Sequence, residues 1–207
     1  MRKTALIFAN GEITPAEIEL VRDQAFDTVI AADGGAVAAL RWHYHPEVVI
    51  GDLDSITPEI RSRLGNAALL HRPDQELNDL EKALQYCRDT EVEAITLLGA
   101  GGKRLDHTLN NLSVLSRYDQ WFDLTIYDAH SQIFIVRDRW QYQGAPQQLI
   151  SLIPIGAAEG VTTEGLAFPL RRETLRFGRR EGLSNYIVSN PVQVTLEKGL
   201  LLIFVIR

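Results

Sequence analysis

The stretch Val48-Val49-Ile50-Gly51-Asp52-Leu53-Asp54-Ser55 decides the reading of this chain. Three β-branched residues favour an extended strand, and the run stops at a glycine followed by two carboxylates. If the backbone stays extended past Gly51, side chains two apart point to one side, so Asp52 and Asp54 can face one ion. Carboxylates gathered this way repel one another unless a positive group sits among them. A hard divalent cation, which takes oxygen ligands and often accompanies phosphates, meets that need.

Three further stretches repeat the theme. Asp33-Gly34-Gly35 follows the apolar run Thr28–Ala32, where glycine lets the backbone turn tightly or approach a ligand. In Asn78-Asp79-Leu80-Glu81-Lys82, Asp79 starts a helix and Asn78 and Lys82 share one face, so Lys82 can meet phosphate oxygens. Gly99-Ala100-Gly101-Gly102 lies between a buried strand and a helix and offers backbone N–H groups to an anion. Lys103 follows it, Arg104 adds a fork suited to phosphate, and Asp106 and Asn110 lie one turn apart.

Each stretch also has a plain structural reading. An Asp before Gly-Gly is common turn chemistry, and Asp79 and Asp106 are suited to capping helix starts. The glycine loop lacks the Walker pattern, and His107 could cap a helix as well as touch a phosphate or ribose. Recurrence at strand ends and helix starts decides between the readings. It points to Mg²⁺-dependent phosphoryl chemistry.

Around these motifs the first 130 or so residues alternate between strands and helices. Ala5–Ala9, Thr28–Ala32, Val48–Ile50, Ala67–Leu70, Ala94–Leu98 and Leu124–Tyr127 read as strands, several apolar throughout, as in a parallel sheet covered on both faces. Thr14-Pro15-Ala16-Glu17 and Thr57-Pro58-Glu59 are helix starts. The expected fold class is α/β, an open, mostly parallel sheet with helices on both faces over residues 1–140. A small all-β, sandwich-like domain follows over 145–207, with a join at Gln141–Pro146. Its strands are read at Gln148–Ile155, Val161–Thr163, Leu166–Leu170, Tyr186–Ser189, Val192–Leu196 and Leu200–Ile206, and Glu197-Lys198-Gly199 reads as a hairpin turn.

Bulk properties narrow the partners. A net charge of −6 argues against nucleic acid but not against nucleotides, since a bound metal inverts the local field. The single cysteine, Cys87, lies on an apolar helical stripe, rules out an internal disulfide framework and suits a reducing cytoplasm. No apolar run is long enough for a signal-peptide core or a membrane span.

At these residues the chain resembles the thiamine pyrophosphokinase family over nearly its whole length. The resemblance rests on Asp33–Gly35, Gly51–Ser55, Gln75 with Asn78–Lys82, and Gly101–His107, in that order and spacing, and on the later Gly182-Leu183-Ser184-Asn185. It implies transfer of the diphosphate of ATP to the thiamine hydroxyl, releasing AMP. Asp52, Asp54 and Asp79 would hold Mg²⁺, and Gln75, Asn78, Lys82, Arg104 and His107 would face the nucleotide. Asp33 or Asp106 would orient or deprotonate the hydroxyl, and Ser184 and Asn185 would belong to the thiamine-binding β-domain. It further implies a homodimer, with thiamine held between one subunit's α/β domain and the other's β-domain. Asn78 departs from the family's usual Thr or Ser. Two alternatives are a pyrophosphokinase for another alcohol, such as a hydroxymethylpterin, and a metal-dependent phosphohydrolase. Lys82 and Arg104, suited to gripping a polyphosphate donor, speak against the second.

Overall fold

The computed structural model describes residues 2–207, which divide into two compact units, the first ending at Ala129 and the second running from His130 to Arg207. In the first unit six strands alternate with five helices: β1 (Thr4–Phe8), α1 (Pro15–Val21), β2 (Thr28–Ala32), α2 (Gly35–Arg41), β3 (Val48–Gly51), α3 (Pro58–Leu64), β4 (Ala68–His71), α4 (Asp79–Asp89), β5 (Ala94–Leu98), α5 (Leu105–Tyr118) and β6 (Asp123–Tyr127). The helix starts follow local chemistry. The Glu17 carboxylate accepts the Thr14 backbone N–H at 2.7 Å, and the Thr57 hydroxyl accepts from Ile60 N–H, each satisfying an orphan donor behind a proline at the first turn.

Neighbouring strands pair parallel in the order β4-β3-β2-β1-β5-β6. Both faces are buried. Leu6, Phe8, Ala31 and Val49 pack with Ile18, Val21, Ala39, Leu40 and Leu64 from α1 to α3. The alternate residues Ile7, Ile30, Ile50 and Ile95 are equally buried, and α4 lies against β2 and β3 through the stripe Leu80, Ala83, Leu84 and Cys87. Strand order reverses between β1 and β5, so the loops leaving those strands diverge and leave a crevice at the carboxyl edge of the sheet.

The second unit is built of strands alone: β7 (Ser131–Val136), β8 (Arg139–Tyr142), β9 (Leu149–Glu164), β10 (Glu173–Arg176), β11 (Gly182–Tyr186), β12 (Val192–Thr195) and β13 (Lys198–Ile206). The 16-residue β9 organises it, pairing antiparallel with β10, β11, β12 and β13. Strand β7 adds to β13 and β8 to β12.

Several expectations change here. The division falls after Ala129, ahead of the expected join at 141–146, because β7 and β8 pair with the C-terminal strands β13 and β12. Gln148–Ile155 and Val161–Thr163 are one strand. Leu166–Leu170 is irregular, with Leu166 making a single bridge to Ile187. Glu197–Gly199 is no hairpin: β12 and β13 both run antiparallel to β9, so the chain continues in one direction, and Glu197 N–H donates to Glu159 O on the way. The helix α2 had no periodic apolar stripe to betray it. Its seven residues are mostly Gly and Ala and apolar almost throughout, so the buried Ala36, Ala39 and Leu40 do not stand out from their neighbours in the sequence.

Candidate active site

The crevice at the strand-order reversal is the centre of the site. The loops leaving β1 and β5 are stitched together: Gly11 N–H donates to Gly99 O at 2.8 Å, and Glu12 N–H to Gly101 O at 2.7 Å. A side chain at Gly11 would place its Cβ 2.2 Å from the carbonyl oxygens of Gly99 and Gly101, so only glycine permits that approach. Around these loops lies a cavity of about 670 Å³, within the range of small-molecule sites. Its lining includes Asp52, Gln75, Asn78, Asp79, Lys82, Arg104 and His107. Residues read from three of the four stretches of sequence therefore meet in one place.

The carboxylates gather at the ends of β2 and β3. Asp33, Asp52 and Asp54 each bring one oxygen within 4.8 Å of the others. They converge by a turn, not by the extended geometry read from the sequence. Leu53 has φ 63°, in the left-handed region, and Asp54 N–H donates to Asp52 Oδ1 at 3.3 Å.

Asp33 is only 3% exposed, has φ 38°, and its Oδ1 has no hydrogen-bond partner among the described residues. Burial pushes its pKa up; the Ser55 hydroxyl opposes that shift, and the charges of Asp79 and Asp54 reinforce it. A buried, unpaired carboxylate oxygen beside two further carboxylates is costly unless a cation occupies the cluster. The donor set, all oxygen and all anionic, suits Mg²⁺.

Asp79 lies beside that trio, and its charge acts on Asp33. It would lie 3.0 Å from a Cβ at Gly51, and its Oδ1 accepts from Lys82 Nζ at 3.0 Å. Lys82 is buried and lines the cavity. On the opposite wall Lys103 donates to Asn10 Oδ1 at 3.1 Å. Arg104 forks onto Asp106 through Nε at 3.1 Å and Nη2 at 2.5 Å. That clasp holds the Asp106 pKa down at about 2. In this arrangement Asp106 aims the Arg104 fork. Gln75 and His107 are exposed on the cavity's rim.

Ser184 and Asn185 belong to β11 in the second unit. The Asn185 carboxamide is engaged at both ends: Oδ1 accepts from Phe168 N–H at 3.1 Å and Tyr186 N–H at 2.9 Å, and Nδ2 donates to Phe168 O at 2.8 Å. Asn185 therefore holds the irregular 166–170 segment, which presents Phe168 to solvent. Ser184, at φ 57°, donates its N–H to Ser151 Oγ at 3.0 Å. Trp140 lies inside this unit, packed in its core and stacked on Tyr142.

Sequence reading passed over Asn10, Gly11 and Asn111. A signal existed for the first pair, since Ala9-Asn10-Gly11 repeats after β1 the strand–polar–glycine order of Ala32-Asp33-Gly34 after β2. Asn111 had none; only the packing of α5 brings it to the loop.

Comparison with known proteins places the sequence and the fold. Residues 23–127 match the family model for the thiamin pyrophosphokinase catalytic domain, and residues 140–201 that for the thiamin pyrophosphokinase vitamin B1 binding domain. Thiamin pyrophosphokinase 1 of Caenorhabditis elegans is 30% identical over 174 residues, 78% of this chain and 70% of the relative. Thiamine pyrophosphokinase 1 of Arabidopsis thaliana is 30% identical over 201 residues, 83% and 75% of the two chains. The crystal structure of thiamine pyrophosphokinase from Bacillus subtilis superposes with a TM-score of 0.86 over 99% of both chains, at 24% identity, a likeness of fold. On these matches, the chain belongs to the thiamine pyrophosphokinase family.

Proposed function

We propose that this chain transfers the diphosphate of ATP to the hydroxyl of thiamine, yielding thiamine diphosphate and AMP. One observation carries the reading: the chain matches, in order, both the catalytic and the vitamin B1 binding models of a single enzyme family. The cavity chemistry supports it. In the transfer, the thiamine hydroxyl oxygen forms a bond to the β-phosphorus while the bond from that phosphorus to the α,β-bridging oxygen breaks, and AMP leaves. Such a reaction needs positioning and charge neutralisation more than covalent catalysis.

Asp33, Asp52 and Asp54 would hold Mg²⁺, with Asp79 beside them; the ion when bound offsets the negative charge of the polyphosphate. Lys82, Lys103 and Arg104 face the same oxygens from two walls, and Arg104 exchanges Asp106 for phosphate. Gln75, Asn78 and His107 complete the nucleotide side. Asp33 and Asp106 are the two carboxylates proposed to orient the hydroxyl or accept its proton. Ser184 and the Phe168 segment fixed by Asn185 are proposed for thiamine.

A homodimer is proposed as well. Leu105 and Leu109, one turn apart on α5, are 72% and 57% exposed, and Phe168, Phe177 and Leu183 of the second unit are open too. No helix among the described residues is long and apolar enough to cross a membrane, and the buried Cys87 fits a reducing cytoplasm. The decisive assay supplies ATP, Mg²⁺ and thiamine and follows AMP. Thiamine-dependent AMP is expected; orthophosphate released without an acceptor, or AMP made only with another alcohol, would defeat the reading.

A further inference from the structure

Two asparagines of the cavity wall have a single self-consistent orientation. Asn78 Oδ1 accepts from Glu81 N–H at 2.7 Å, so its Nδ2 is the end turned toward α5. Asn111 Nδ2 donates at 2.8 Å to the Ala100 carbonyl, which can only accept, so its Oδ1 is the end turned toward α4. The free ends then meet donor to acceptor: Asn78 Nδ2 lies 3.1 Å from Asn111 Oδ1, and 2.6 Å from Asn110 Oδ1. A continuous hydrogen-bonded strap results. It runs from the first turn of α4, through Asn78 and Asn111, to the glycine loop after β5.

Its two ends are the two walls of the site. The α4 start carries Asp79 and Lys82; the loop leads into Lys103 and Arg104. Packing of α4 on α5 does not depend on the strap. Glu81 is already held by Arg117 at 2.6 Å and by the Tyr118 hydroxyl at 3.1 Å, above a buried layer of Leu80, Leu84, Val114 and Leu115. What the strap adds is the tie from α4 to the glycine loop, which no other side chain among those named makes.

We infer that Asn111 is a positioning residue: by bridging Asn78 and the Ala100 carbonyl it sets the spacing between the two cationic walls that grip a nucleoside triphosphate. The inference rests on the nucleotide reading of the cavity. A carboxamide is required, because one end must donate and the other accept. Asn111→Asp keeps the shape and can still accept from Asn78, but it opposes a carboxylate to the Ala100 carbonyl. Asn78→Ser keeps a helix cap yet is too short to reach Asn111.

The test is a double-mutant cycle on titration of the full chain with Mg²⁺ and a non-hydrolysable ATP analogue. Each single variant should lower affinity by about tenfold, the size of one hydrogen bond of about 1.4 kcal/mol. The double variant should lose little more than either, since the strap is already cut. In turnover, the KM for ATP should rise while that for thiamine stays put, with the melting temperature within a few degrees of wild type. Unchanged analogue affinity with a lowered melting temperature would reduce Asn111 to a structural link, and losses multiplying to about a hundredfold would show the two residues acting separately. Either result overturns the inference. Wild-type protein that binds the analogue but makes no thiamine-dependent AMP would sink the acceptor assignment, while the binding cycle would still decide the strap.

Discussion

Asp33 and Asn185 are both buried polar side chains, 3% and 7% exposed, one in each unit of the molecule. Asn185 spends its carboxamide on three backbone groups of its own unit. Asp33 leaves one oxygen without a partner, amid other carboxylates. A buried polar group bonded at both ends serves the architecture; one with an unbonded oxygen beside two further carboxylates suits a bound cation. The first unit pays in stability for its chemistry, whereas the second uses a similar group to build a loop.

The comparison can be broken most sharply at the carboxylates. Asp33→Asn and Asp54→Asn should each lower thiamine-dependent AMP formation by about 10²-fold or more, the loss expected when about 3 kcal/mol of metal-linked charge stabilisation disappears. Asp33→Asn should nonetheless leave the metal-free melting temperature unchanged or raised, since it removes a buried, repelled charge. A large drop in melting temperature would instead make Asp33 part of the architecture.

Asn185→Ala should behave the other way. It strands the N–H groups of Phe168 and Tyr186 and the Phe168 carbonyl, at a cost of about 1–3 kcal/mol, read as a fall of several degrees in the melting temperature. Unaltered stability would show that water replaces the amide and that Asn185 is not holding the segment.

A smaller effect lies in pH. The folded-state pKa of Asp33 is raised above its ordinary value of 3.8 by burial. Stability from this group is therefore present below the unfolded pKa and is lost as pH rises through the folded one. In chelator-treated protein, the stability of Asp33→Asn relative to wild type should grow from about pH 4 toward neutrality, and added Mg²⁺ should restore wild type. A pH-independent difference would mean that Asp33 is not buried as a charge.

Smallest of all, Cys87 sits under α4 with its thiol pushed up to about 12 by burial. Native protein should resist alkylation at about pH 8, where a free thiol is partly ionised, and label only when unfolded. Rapid labelling of the native chain would show that α4 opens, and with it the Asp79–Lys82 wall.

The two units also differ in how much could be read in advance. In the first, strands buried on both faces are short apolar runs, and caps such as Thr14 and Thr57 mark helix starts, so β2 and β5 emerge residue for residue. Only α2, short and made of small residues, left no periodic trace. In the second unit, turn residues mislead. Gly156 and Gly160 lie inside β9, where they read as breaks, and Glu197–Gly199 continues a strand where it reads as a reversal. Alternation tells which face a residue takes, but not which strand it will pair with, because pairing partners are distant in the chain.

By itself the sequence determined the chemical inventory: clustered aspartates at strand ends, a glycine loop, Lys82 and Arg104, and the order that ties them to one enzyme family. These are local, since each depends on the residues beside it. Only the tertiary structure decided the grouping. It joined Asp33 to Asp52 and Asp54, with Asp79 beside them; paired Asp106 with Arg104; gave Asn185 to a loop; and brought Asn111 to the cavity wall. Such choices depend on how strands order and helices pack across the sheet, where groups far apart in sequence compete for the same few ångströms.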